Sequence, residues 1–157
     1  MASSAVAKWI TTTGPRCQSG DTVAIFMPSS CEFIAALFGL TRCGVRAALV
    51  NTALRGTSLV HALTSALDAG AVKAVLVSPD LRPTLESLRD AEQLPASLAI
   101  VECGPGRDLD PWTETTRFAY LGRQQRQRSQ ASRWDDTCVY VYTSGTTGFP
   151  KASCLLH

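Results

Sequence analysis

Charge is scarce in this chain, and histidine scarcer still. Asp, Glu, Lys and Arg together make up 18% of its 157 residues, and the formal net charge is +2. An excess that small does not by itself imply a nucleic-acid partner. Of the two histidines, His61 has no carboxylate or nucleophile at reading distance and is expected as a partly exposed helix residue rather than a base, while His157 closes the chain. Cysteine is present but unpatterned. Cys17, Cys31, Cys43, Cys103, Cys138 and Cys154 form no C-x-x-C pair and have no histidine at metal-ligand spacing. That argues against a zinc site and against a disulfide framework, and it reads as reduced thiols. Long apolar runs are missing too. The longest, Phe33–Leu40, falls far short of the roughly 20 residues that a membrane-spanning helix requires. The N-terminus, Met1-Ala-Ser-Ser-Ala-Val-Ala-Lys-Trp-Ile, lacks the early basic region of a signal peptide, and a short helix is expected there.

What is present suits one buried core. The hydrophobic share is 45%, and a chain of this length can bury about two-thirds of its unfolded surface. After the turn at Gly20-Asp21, the run Thr22-Val-Ala-Ile-Phe-Met27 is short and continuously apolar, which predicts a buried strand. Pro28-Ser-Ser30 follows, with Ser29 or Ser30 as N-cap and Glu32 in the first turn of a helix. Phe33, Leu37 and Leu40, with Ile34 and Phe38 beside them, recur at helical spacing until Gly44. Ala47–Val50 predicts a second strand, and Ser58–Ala69 a helix presenting Leu59, Ala62, Leu63, Ala66 and Leu67, closed by Gly70. Ala74–Val77 predicts a third strand, Leu81–Leu94 includes a third helix, and Ser97–Val101 predicts a fourth strand. Strands alternating with helices imply an α/β protein built of parallel βαβ units, with helices on both faces of the sheet.

The character changes at residue 102. Gly104-Pro-Gly106, Asp108 and Asp110-Pro111, followed by Arg117, Arg123, Arg126, Arg128 and Arg133, predict a long polar connection over 102–136. No acidic residue falls between Glu114 and Asp135. A solvated loop is the favoured reading; contact with an anionic membrane surface is the sharper one. Sparse aromatics (Phe118, Tyr120 and Trp134) weigh against nucleic acid.

The chemistry is carried by the next segment. Thr137–Tyr142 reads as a strand with apolar residues on both faces, and Lys151-Ala-Ser-Cys-Leu-Leu as a second strand. Between them Thr143, Ser144, Gly145, Thr146, Thr147 and Gly148 offer four hydroxyls and two glycines. The glycines allow backbone N–H groups to converge into an anion-binding nest, the hydroxyls add rotatable donors, and Lys151 adds a compact positive charge. Pro150 fixes its own φ and holds Phe149 extended. A polyphosphate would use all of these groups at once. This is not a Walker A loop, which needs G-x-x-x-x-G-K-[ST] and a helix at the Lys. An ordinary Gly/Thr hairpin is the bland alternative, and it has no reason to carry these groups in this order.

Tyr142-Thr-Ser-Gly-Thr-Thr-Gly-Phe-Pro-Lys-Ala152 resembles the signature of the adenylate-forming, AMP-binding superfamily. Within that superfamily the chain is similar to the fatty acid transport proteins, or very-long-chain acyl-CoA synthetases. The residues that carry this likeness are Gly20-Asp-Thr-Val-Ala-Ile-Phe-Met27, Glu32-Phe33, Gly39-Leu40, Gly44-Val-Arg-Ala-Ala-Leu-Val-Asn-Thr-Ala-Leu-Arg55, His61-Ala-Leu-Thr64 and Lys73-Ala-Val-Leu76. The middle segment does not match well. The resemblance implies an ATP-dependent fatty-acid–CoA ligase, with ATP, Mg²⁺ and coenzyme A taking part, a fatty acid as substrate, and membrane association in the family. It implies that Tyr142, Thr143, Ser144, Gly145, Thr146, Thr147, Gly148, Phe149, Pro150 and Lys151 bind the nucleotide. It also implies that catalytic residues fall after His157, so the chain is expected to be an inactive N-terminal part. On this reading 1–19 is a lead-in, 20–101 the βαβ part, 102–136 the connection and 137–157 the phosphate-loop hairpin. Two readings compete with it. One is a non-catalytic piece that docks on a homologue or grips a polyphosphate. The other is a different doubly wound nucleotide module, disfavoured because Phe26-Met-Pro-Ser-Ser30 stands where G-x-G-x-x-G would be.

Overall fold

A computed structural model describes residues 2–64, 72–113, 137–143 and 151–156. Helix α1 spans Ala2–Thr12, where the short N-terminal helix is expected. Strand β1 (Thr22–Phe26) is buried at every residue. Helix α2 (Cys31–Arg42) starts at Ser30, whose Oγ accepts the Phe33 N–H at 3.1 Å, with Glu32 in its first turn. Its end is a Schellman motif. Gly44 takes φ +71, its N–H bonds Thr41, and the Val45 N–H reaches back to Leu40. Strand β2 (Arg46–Leu49), α3 (Gly56–Thr64), β3 (Val72–Val77), α4 (Arg82–Asp90) and β4 (Ala99–Glu102) follow. The predicted end of the second helix, including Ala66, Leu67 and Gly70, lies outside the described residues.

The third helix lies inside the predicted Leu81–Leu94 and stops at Asp90, where Glu92 adopts φ 55 and closes the same motif without a glycine. The Glu92 N–H bonds Arg89 and the Gln93 N–H bonds Leu88. Leu94 is buried all the same, in a loop. One boundary differs from expectation: the predicted polar connection is not unstructured at its start. Glu102 is the last residue of β4, Cys103 pairs with Leu109, and both of the latter are buried. The arginines from Arg117 to Arg133 lie outside the described residues.

The six-stranded sheet has the order β4-β3-β1-β2-β5-β6, with β5 spanning Thr137–Thr143 and β6 spanning Lys151–Leu156. All neighbours are parallel except β5 and β6. One core gathers Val6, Ile10 and Leu40 of α1 and α2 over Val23, Ile25, Ala47 and Leu76. The other gathers Leu59, Leu63 and Leu85 of α3 and α4 over Ala24, Phe26, Ala48 and Val75. The step from β1 to β2 and the step back past β1 to β3 run in opposite directions and use opposite faces. Both crossovers therefore have one hand, as parallel βαβ connections require. Toward the far edge the cover thins. On β5 only Tyr140 is buried among the side chains described, so the strand expected to be apolar and enclosed on both faces is enclosed on one. Beyond it, residues 152–155 of the edge strand β6 are exposed.

Helices α1 and α2 meet at Gly39, where an added Cβ would stand 2.6 Å from Val6 Cβ and 3.0 Å from the Ser3 carbonyl oxygen. A β-branched side chain cannot swing clear. Gly39→Ala should therefore destabilise the chain by about 1–2 kcal/mol even after the helix-propensity gain of alanine, as denaturant unfolding would measure. An unchanged or raised midpoint would show that the helices can part without cost.

Candidate functional site

In a parallel sheet with helical crossovers, every helix begins at the carboxyl edge of the strands. Here the N-termini of α2, α3 and α4 open there, with their positive dipole ends. Strand β5 enters parallel to β2, with Ala47 beside Val139, Ala48 beside Tyr140 and Leu49 beside Val141. Its carboxyl end therefore lies on the same edge, which is where ligands bind in open α/β sheets.

The signature residues divide by what is described. Thr143 and Lys151 are cross-strand partners at the mouth of the β5–β6 hairpin, and Tyr142 pairs with Ala152 one step further in. The backbone thus brings the two ends of the signature loop together at the carboxyl edge. Ser144, Gly145, Thr146, Thr147, Gly148, Phe149 and Pro150 lie outside the described residues. Tyr142 packs against the core beneath α3, and its hydroxyl donates to the Ala62 carbonyl at 2.6 Å. Burial, with Tyr140 beside it, pushes the Tyr142 phenol up to about 12, so it stays a protonated donor at neutral pH. His61, the residue before Ala62, is half-buried on α3, as expected. All six cysteines are free thiols.

A second polar assembly occupies the same edge, beyond β3 and β4. Arg82, in the first turn of α4, is bonded to Glu86 at 2.7 Å and Asp108 at 3.0 Å, and lies 3.6 Å from Glu102. Arg107 reaches Glu102 at 3.0 Å, so this nearly enclosed carboxylate has two cationic neighbours. Asp110 accepts the N–H groups of Gly106, Trp112 and Thr113 and the Thr113 hydroxyl, at 2.9–3.1 Å. The Gly106 and Thr113 N–H bonds are the main forces holding its carboxyl down at about 2. Asp110-Pro111 is thus an N-cap followed by proline at the first helical position, ahead of a helical turn at residues 111–113. The sequence carried that signal; reading it only as a loop marker missed it. Trp112 Nε1 meets Glu32 of α2 at 3.4 Å, joining the loop to the site edge.

No helix among the described residues is long and apolar enough to cross a membrane. Nor does any group of three or more His, Cys, Asp or Glu gather in metal-ligand geometry among them.

The architecture is that of the N-terminal domains of adenylate-forming CoA ligases. The anthranilate CoA ligase AuaEII, solved in complex with anthranoyl-AMP, superposes with a TM-score of 0.78 at 24% identity over 99% of this chain and 28% of that one. Residues 2–157 match the family model of the AMP-binding enzymes, and the chain belongs to that family. It is 33% identical over 156 residues to long-chain fatty acid transport protein 3 of Mus musculus, covering 93% of this chain and 22% of that protein. It is also 33% identical over 144 residues to the medium/long-chain-fatty-acid–CoA ligase FadD6 of Mycobacterium tuberculosis, covering 88% and 21% respectively. The chain spans about a fifth of the length of these curated relatives.

Asp110→Ala should cost about 1 kcal/mol at pH 7, the usual worth of a helix cap. Because the folded carboxyl is held at about 2, below its ordinary 3.8, the wild-type advantage is complete above that ordinary value and disappears as pH falls through about 2. Paired unfolding curves from pH 7 to pH 2 check this. A stability difference that did not change with pH would show that the carboxylate charge contributes nothing.

Proposed function

We propose that this chain supplies the polyphosphate grip of an ATP-dependent, AMP-forming fatty-acid–CoA ligase. In that reaction a carboxylate oxygen of the fatty acid attacks the α-phosphorus of ATP. The bond to the bridging oxygen breaks, pyrophosphate leaves and an acyl-adenylate forms. The coenzyme A thiolate then attacks the acyl carbon and AMP departs. A carboxylate is a weak nucleophile repelled by the charge of ATP, so the leaving phosphates must be held and neutralised. The signature from Tyr142 to Lys151 carries the donors for this work: the hydroxyls of Thr143, Ser144, Thr146 and Thr147, the backbone at Gly145 and Gly148, and the charge of Lys151. Phe149 and Pro150 complete the signature ahead of Lys151. Mg²⁺ is taken to arrive as part of the MgATP substrate.

The observation that carries this reading is the hairpin register, in which Thr143 faces Lys151 at the carboxyl edge of the sheet. The named activities of the long-chain transport proteins and of FadD6 support a long-chain fatty acid as substrate of the whole protein, with coenzyme A as acceptor. They also support a place for the whole protein at a membrane. Adenylation belongs to that whole protein, and this chain alone is expected to bind phosphate without turnover.

Titration of the 157-residue chain with tripolyphosphate by calorimetry tests the grip. Lys151→Ala should weaken binding about tenfold, the size expected for loss of a charge-assisted bond, and Gly148→Val should abolish it. Pyrophosphate release with ATP, coenzyme A and oleate should stay at background. Binding that both variants retain would end the phosphate reading, and turnover by this chain would show that adenylation does not need the whole protein.

A further inference from the structure

The strand that delivers the signature loop is only partly held by the sheet. Pairing of β5 with β2 stops at Leu49 beside Val141. Tyr142 and Thr143, the two residues that lead into the loop, run past the end of β2 and, among the described residues, pair with Ala152 and Lys151 of the exposed edge strand. Beside the packing of the Tyr142 ring against the core, one bond among the described residues ties them to the body of the domain. The Tyr142 hydroxyl crosses to α3, 80 positions away in sequence, and donates to the Ala62 carbonyl at 2.6 Å.

We propose that Tyr142 is a positioning residue for the phosphate loop, acting through this bond to α3; the proposal rests on the phosphate-binding reading above. The anchor point is firm. Leu59, Ala62 and Leu63 are all buried in the core beneath α3, so the Ala62 carbonyl belongs to a packed turn rather than a surface one. Phenylalanine would fill the same space under α3, so packing alone does not account for the hydroxyl. The phenol ionises only near 12, which keeps the proton on the oxygen and the donor in place throughout the physiological range. With the tether made, Thr143 starts the loop from a fixed point and Lys151 faces it. Without it, the backbone between Val141 and the loop is held by the edge strand and by ring packing, which has no directional bond to fix it, and binding must also order that segment.

The test uses tripolyphosphate titrations of the full 157-residue chain and its Tyr142→Phe, Leu63→Ala and Lys151→Ala variants. Leu63→Ala loosens the packing of α3 without removing the bond. Tyr142→Phe should weaken tripolyphosphate about fivefold, the size of one neutral hydrogen bond, while Leu63→Ala stays within twofold of wild type. Amide exchange at Thr143 and Lys151 should accelerate at least tenfold in Tyr142→Phe and hold steady in Leu63→Ala. A Tyr142→Phe chain that binds within twofold of wild type overturns the proposal, as does equal weakening or equal acceleration in both variants. If wild type and Lys151→Ala fail alike to bind, the phosphate reading itself falls and the proposal falls with it. Binding by wild type that Lys151→Ala weakens and Tyr142→Phe does not would leave the phosphate reading standing and remove the tether.

Discussion

Enclosure of β1 on both faces is the constraint from which the other features of the domain follow. Thr22–Phe26 has no residue open to water, and its neighbours β2 and β3 flank it on both sides. A strand so placed needs apolar cover above and below, which α1 and α2 provide on one face and α3 and α4 on the other. Helices that return from parallel strands must all start at the same edge. The geometry that buries the core thereby collects helix N-termini, turns and the signature hairpin along one line. The polarity of that edge is a consequence of chain direction, and an anionic ligand would exploit it.

The hairpin is attached to this body economically. Strand β5 has three registered partners on β2, one buried tyrosine and one hydroxyl bond to α3. Strand β6 is antiparallel and, among the described strands, forms the edge, so the two strands that flank the signature lie where the described sheet is thinly covered. An edge position leaves room for a large ligand to approach. It also leaves β6 without a second partner strand among the described residues, and a side chain such as Leu155 about half exposed. At the opposite end the same carboxyl edge is closed by charge. Arg82, Arg107, Glu102 and Asp108 tie the loop after β4 to the start of α4, and Asp110 caps the turn that brings Trp112 to α2. These bonds are local and mutually satisfied, which suits a scaffold rather than a reactive group.

How much of this was legible in the residues depends on the range of the forces involved. Strands β1 to β4, the Ser30 cap and the Gly44 stop were readable because apolar runs, small hydroxyl caps and positive-φ glycines act within a few residues. So was the family, because the signature from Tyr142 to Lys151 is a contiguous string. The stop of α4 was not legible, because Glu92 takes the left-handed conformation that a glycine usually supplies. The ordered start of the polar connection was missed because Leu109 and Cys103 gain their burial from strands far away in sequence.

The linear chain by itself determined that strands and helices alternate, which residues each helix turns inward, and that a glycine- and hydroxyl-rich turn follows a strand. Tertiary structure alone decided the strand order, the antiparallel reversal at β6, the meeting of Thr143 with Lys151, and the reach of Tyr142 to Ala62. The division has one cause. Backbone preferences and hydrophobic periodicity are written over a few neighbouring residues, whereas pairing and burial depend on which distant segments arrive at the same place.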